Sequence, residues 1–142
     1  MFDFIKNLFP IKARSIEKFV DIVKRERCRD IVVRPDRVNI GTGQFEYFVI
    51  FKAKTNTGRN IYYNNICFKH KNNYHWFFDA EKEWKAAIQV YLIAEKKLED
   101  LKIKLPGVTA ILVRPEPGHR NRHMDKAMYD KLHSDAAACG IS

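Results

Sequence analysis

Two strand-like runs, Phe45 to Lys54 and Ile61 to Lys69, flank a short polar loop, Thr55-Asn-Thr-Gly58-Arg-Asn60. That arrangement predicts a β-hairpin, and it constrains the fold more than any other part of the chain. In the first run Phe45, Tyr47, Val49, Phe51 and Ala53 make one face. Glu46, Phe48, Ile50, Lys52 and Lys54 make the other, which is apolar in the middle and charged at its ends. A hairpin alone is marginal in water, so more strands or a covering helix must complete it.

The flanking sequence supplies both. Ser15 is a good N-cap for a helix from Ile16 to about Arg27, with Ile16, Phe19, Val20 and Val23 as its apolar stripe. Ile31-Val32-Val33 is a β-branched run suited to a buried strand, ended by Arg34-Pro35-Asp36. Gly41-Thr42-Gly43 marks a turn. Asp79 caps a second helix that runs to about Lys102, with Glu81 and Glu83 in its first turn, where carboxylates are favoured. Trp84, Ala87, Ile88, Tyr91, Leu92, Leu98 and Leu101 read as its apolar face. Val108 to Val113 forms a last buried-type strand, and a weaker helix is expected from about Met124 to Ala138. The expectation is one α+β domain over residues 1–142. It has a single mixed sheet of about four strands, in the order α-β-ββ-α-β-α, with helices packed on its faces. Residues 1–10 form an N-terminal stub, docked or flexible, that Pro10 interrupts.

Ile31-Val32-Val33-Arg34-Pro35-Asp36 echoes Ile111-Leu112-Val113-Arg114-Pro115-Glu116 without a gap. If the two strands lie side by side and parallel, both arginines leave the sheet at one edge, where α/β proteins tend to bind anions. The alternative is convergence on a strand exit, because proline donates no ladder bond.

Charge bears on partners. The chain carries a net +9. Residues 1–37 and 38–78 hold +4 each, 79–105 are balanced, and 106–142 hold +1. Such an excess, concentrated on the first helix and the β-region, favours nucleic acid, an anionic membrane or an acidic protein. The expected phosphate-binding residues are Arg25, Arg27, Arg34, Arg59, Arg114, Arg120 and Arg122, with His119 and His123 beside them. Of the eleven aromatics between Val38 and Phe78, Tyr62, Tyr74 and Trp76 are the candidates for stacking on bases, and most of the others belong in the core. The expectation is a small, basic nucleic-acid-binding protein without enzymatic activity. A protein-interaction module with an acidic partner is the alternative.

The element order helix, three strands, helix, strand resembles the restriction-endonuclease-like, metal-dependent nucleases. That family carries an acidic residue on the second strand and a Glu-x-Lys on the third, and the resemblance implies magnesium or manganese as cofactor. Here Asp36 follows Pro35, Glu46 opens the next run, and Lys54 stands where the family's lysine would. Lys52 occupies the glutamate position, a reversal of charge that cannot ligate a metal while protonated. Asp36, Glu46 and Lys54 are the catalytic candidates of that reading alone.

Other chemistries find little. Cys67-Phe-Lys-His70 and His119-Arg-Asn-Arg-His123 resemble halves of a zinc site. Simple alternation, however, sends Cys67 and His70 to opposite faces of a strand, and the second pair lies among cations. No Gly-x-Ser-x-Gly or glycine-rich phosphate loop occurs. Cys28, Cys67 and Cys139 are widely spaced, which suits a reducing compartment and a cytoplasmic protein. No stretch reaches membrane-span length.

Overall fold

A computed structural model describes residues 9–72 and 78–113. Its elements are β1 (Ile11–Lys12), α1 (Ile16–Arg25), β2 (Asp30–Gly41), β3 (Gln44–Lys54), β4 (Asn60–Lys71), α2 (Ala80–Lys104) and β5 (Thr109–Leu112). The five strands form one mixed sheet in the order β1-β4-β3-β2-β5. The α+β class and the mixed sheet are as expected. The fifth strand is β1, a two-residue edge strand parallel to β4, with Ile11 opposite Ile61 and Lys12 opposite Tyr62. Two residues are too few for a periodicity signal. The helix expected near 124–138 and the first eight residues lie outside the described residues.

The hairpin forms as read. Lys54 pairs with Asn60, and Gly58 takes φ +88° in the connecting turn, a left-handed conformation that glycine adopts without steric cost. Thr55 closes that turn from inside, its hydroxyl accepting from the Arg59 amide at 3.0 Å. Both helix caps are also as read. Ser15 accepts from the Lys18 amide at 3.1 Å, and Asp79 accepts from the Lys82 amide at 3.2 Å.

Four readings are corrected. Both described helices pack on one face of the sheet, not on two. Phe19, Val20 and Val23 of α1 join Ala86, Val90, Ala94, Leu98 and Leu101 of α2 over Ile31, Val33, Tyr47, Val49, Phe51, Ala53 and Ile61. The second correction concerns which side of α2 meets the sheet. The apolar residues expected there, Trp84, Ala87 and Ile88, gather instead around Tyr91 and Leu112 in a separate cluster. Helix α2 is apolar over two adjoining sides, and small Ala86 and Ala94 allow it to approach the sheet closely. Third, Pro35 does not end β2, which continues to Gly41. Val33 accepts from the Val113 amide on the β5 side. The nitrogen of Pro35, two residues on, therefore faces the same side, beyond the reach of β5's pairing, where no donor is required. Fourth, β4 carries a one-residue bulge. Tyr47 pairs with Phe68 and Phe48 with Ile66, so Cys67 is the extra residue.

Strand β5 lies parallel to β2, with Ile31 opposite Ala110 and Val33 opposite Leu112. The sequence echo therefore has its structural counterpart, one residue out of step. Arg34 stays within the sheet and does not leave it at the edge; Arg114 lies outside the described residues.

Candidate nucleic-acid interface

Alternation along the strands sorts the polar groups onto two faces. On the helix-covered face, Arg37 of β2 and Tyr47 of β3 point at Glu83, three residues before Ala86 at the head of α2's buried stripe. Glu83 is 6% exposed. Arg37 Nη1 donates to its Oε2 at 2.7 Å, and the Tyr47 hydroxyl donates to the same oxygen. Asn72 Nδ2 donates to Oε1 at 2.9 Å. His70 Nε2 lies 2.8 Å from Oε1, outside the alignment of a hydrogen bond, and its ring stacks on Phe45 and Tyr47. Burial, then the Glu83 carboxylate, pushes the Tyr47 hydroxyl's pKa well above the usual tyrosine value, so it donates throughout the neutral range. Asn72 also joins the β4 end to the start of α2: it donates to the Asp79 carbonyl at 2.8 Å and accepts from the Asp79 amide at 2.9 Å. The carboxylate thus has a cation and several donors, the condition under which a buried charge is tolerated. This network fastens α2 to β2, β3 and β4. The sequence suggests only the helix dipole as a role for Glu83; the phase of Ala86, Val90 and Ala94 is the signal that places it inward.

The other face carries no described helix. Register places Lys12, Tyr62, Lys52, Val32 and Ile111 in one row across all five strands. Arg34, Ile50 and Asn64 form the next row, and Asp36, Phe48 and Ile66 the one after. Val38, Glu46 and Lys69 follow. The face is therefore divided. The half nearest the β3–β4 turn holds Lys12, Lys52 and Lys54 around Tyr62, with the Lys52 ammonium 5.7 Å from the ring centroid. The far half is apolar, with Val38 43% and Ile66 60% exposed. Most of its charges are matched: Arg34 lies 3.8 Å from Asp36, and Lys69 lies 3.5 Å from Glu46, while Lys71 stands at its far end opposite Gln44. Among the described residues, Lys12, Lys52, Lys54 and Lys71 are in no ion pair.

The expected phosphate-binding arginines do not gather on this face. Of those among the described residues, Arg34 alone lies on it. Arg25 is beside Glu26 at the end of α1, and Arg27 follows that helix. Arg59, in the β3–β4 turn, donates through Nε to the Phe9 carbonyl at 2.7 Å. Of the stacking candidates Tyr62 is on the open face; Tyr74, Trp76, Arg114, His119, Arg120, Arg122 and His123 lie outside the described residues. Lys12, Lys52 and Lys54, none of them an expected phosphate-binding residue, are what the fold gathers around Tyr62. The signal that finds them is their even spacing with Tyr62 once the hairpin register is known.

The nuclease candidates are placed as follows. Asp36 and Glu46 are diagonal neighbours on adjacent strands of the open face, each directed at a cation. Lys54 is at the opposite end of β3, eight residues from Glu46 or about 27 Å along an extended strand. For the zinc pair, the β4 bulge corrects the alternation argument: Cys67 packs on the core and His70 stacks on Tyr47, so both lie on the helix side. Among the described residues no three His, Cys, Asp or Glu side chains could together hold a metal ion. Burial raises the pKa of the Cys67 and Cys28 thiols, which removes the thiolate that nucleophilic chemistry needs. Among the same residues no helix is long and apolar enough to cross a membrane. The chain matches no protein-family model and no curated protein sequence.

Proposed function

We propose that this protein binds single-stranded nucleic acid on the open face of its sheet, without catalysing a reaction. One observation carries the reading: Tyr62 lies on a face that no described helix covers, between Lys12 and Lys52 on the neighbouring strands. A base stacks on the tyrosine ring, and the lysines take the flanking phosphates. Lys52, now over the ring, moves to the backbone of the stacked nucleotide. Lys54 extends the positive field at the same end of the face. Bases in a duplex are already stacked on one another and offer Tyr62 no free ring face, so single strands are favoured. The test is fluorescence anisotropy with single- and double-stranded oligonucleotides across a salt series. Preferential binding of single strands that weakens with salt supports the reading, and equal or absent binding at low salt removes it.

A second reading rests on the far half of the same face. Val38 and Ile66 are exposed large apolar side chains there, and a protein partner with acidic residues at its rim would cover them while meeting the lysines. Substituting Ile66 with lysine would abolish such a complex and leave oligonucleotide binding intact.

A further inference from the structure

On the helix-covered side, away from Tyr62, a cleft of about 470 Å³ opens between the end of α1 and the α2–β5 connection. Its apolar lining includes Val23, Leu105 and Val108, and its cations are Lys24, Arg27 and Lys104. We infer that this cleft is a second binding site, for a small phosphomonoester with an aromatic or apolar body.

Three observations support it. The volume is in the range of small-molecule sites. Among the described residues, none of the three cations is in an ion pair or a side-chain hydrogen bond. Their three full charges outweigh the roughly half-unit negative ends of the two helices that finish here. The third observation is conformational. Helix α1 ends in a Schellman arrangement, with the Cys28 amide donating to the Val23 carbonyl at 3.1 Å and the Arg27 amide to the Lys24 carbonyl at 3.3 Å. The residue at the left-handed position is Arg27, with φ +53°. Glycine is the usual occupant because a side chain is strained there. Lys24 needs no ligand to explain it, since a helix C-terminus favours a cation. Arg27 lies outside the helix in a conformation that costs stability, and strain of this kind concentrates at binding sites.

The strain gives the test its discrimination. Arg27→Gly relieves it, so the variant's melting temperature rises by a few degrees while phosphate binding weakens by about tenfold or more. Binding is measured by calorimetry with adenosine 5′-monophosphate, and with one oligonucleotide in 5′-phosphorylated and 5′-hydroxyl forms. Lys104→Ala serves as a second variant and should weaken the same ligands. Tighter binding of the 5′-phosphorylated strand than of its 5′-hydroxyl form, lost in Arg27→Gly, assigns the site to strand ends. Binding of the mononucleotide with no difference between the two strands assigns it to a free metabolite. The mononucleotide titrations are repeated in a Tyr62→Ala background, where stacking on the open face is removed, so that the binding which remains and is lost on adding Arg27→Gly reports the cleft. Absence of mononucleotide and 5′-phosphate binding at millimolar concentration, or binding unaltered in both cleft variants, overturns the inference whatever becomes of the open face.

Discussion

The two faces of the sheet carry charge in opposite ways. On the covered face Arg37 is matched to Glu83, with Tyr47 and Asn72 donating to the same carboxylate. On the open face Lys12, Lys52, Lys54 and Lys71 are in no ion pair among the described residues. The same strands supply both. Arg37 and Asp36 are consecutive, yet one closes a buried network and the other lies outside it beside Arg34. Net charge along the sequence is therefore a poor guide to where charge is free to act. Strand alternation decides which cations bind the protein to itself and which are left for a partner.

The largest effect expected from breaking this contrast is on the covered face. Glu83→Ala leaves the Arg37 guanidinium without its counter-ion and strands the Tyr47 and Asn72 donors. A loss of about 3–5 kcal/mol is expected in urea unfolding. A loss below about 1 kcal/mol would show that the network is dispensable and that apolar packing alone seats α2.

Most of the covered architecture was legible in the sequence. The hairpin, the Ser15 and Asp79 caps and the order of elements from α1 to β5 all follow from local signals. Three features depended on tertiary geometry. The side of α2 that meets the sheet was ambiguous because Trp84, Ala87 and Ile88 compete with Ala86, Val90 and Ala94 for the core. The bulge at Cys67 inverts the alternation of β4 without any glycine or proline to mark it. Pro35 reads as a strand end, since only the short length of β5 makes its missing donor harmless. The candidate interface was less legible still. Tyr62 was identifiable as an aromatic among cations, but Lys12 reaches it only through β1, whose two residues leave no trace in hydropathy.

On the open face, Tyr62→Ala should weaken single-strand binding by about 1–3 kcal/mol, the usual value of one base–aromatic stack, with the unfolding midpoint little changed. Parallel losses of binding and stability would instead make Tyr62 a packing residue.

Alkaline pH returns to the covered face. The folded-state pKa of Tyr47 is raised above the unfolded value, so the folded protein holds the proton more tightly. That contribution is complete below the unfolded tyrosine pKa of about 10 and is lost as pH rises beyond it, by about 1.4 kcal/mol per pH unit. Urea midpoints measured from pH 8 to 11 should fall at the upper end, and less steeply in Tyr47→Phe. An identical slope in the variant would remove Tyr47 from the account. The smallest effect belongs to Arg34, whose exposed pairing with Asp36 at 3.8 Å contributes about 0–1 kcal/mol. Arg34→Ala should leave thermal stability almost unchanged.

The most direct measurement compares the wild type with the Lys12→Ala, Lys52→Ala, Tyr62→Ala triple variant in single-strand binding across a salt series. A steep salt dependence is predicted for the wild type, shallower by about 0.7 in the log–log slope for each phosphate contact removed. Affinity in the triple variant should fall by more than any single substitution produces, with the melting temperature preserved. Equal affinity and equal slope in the two proteins would contradict the assignment of nucleic-acid binding to this face.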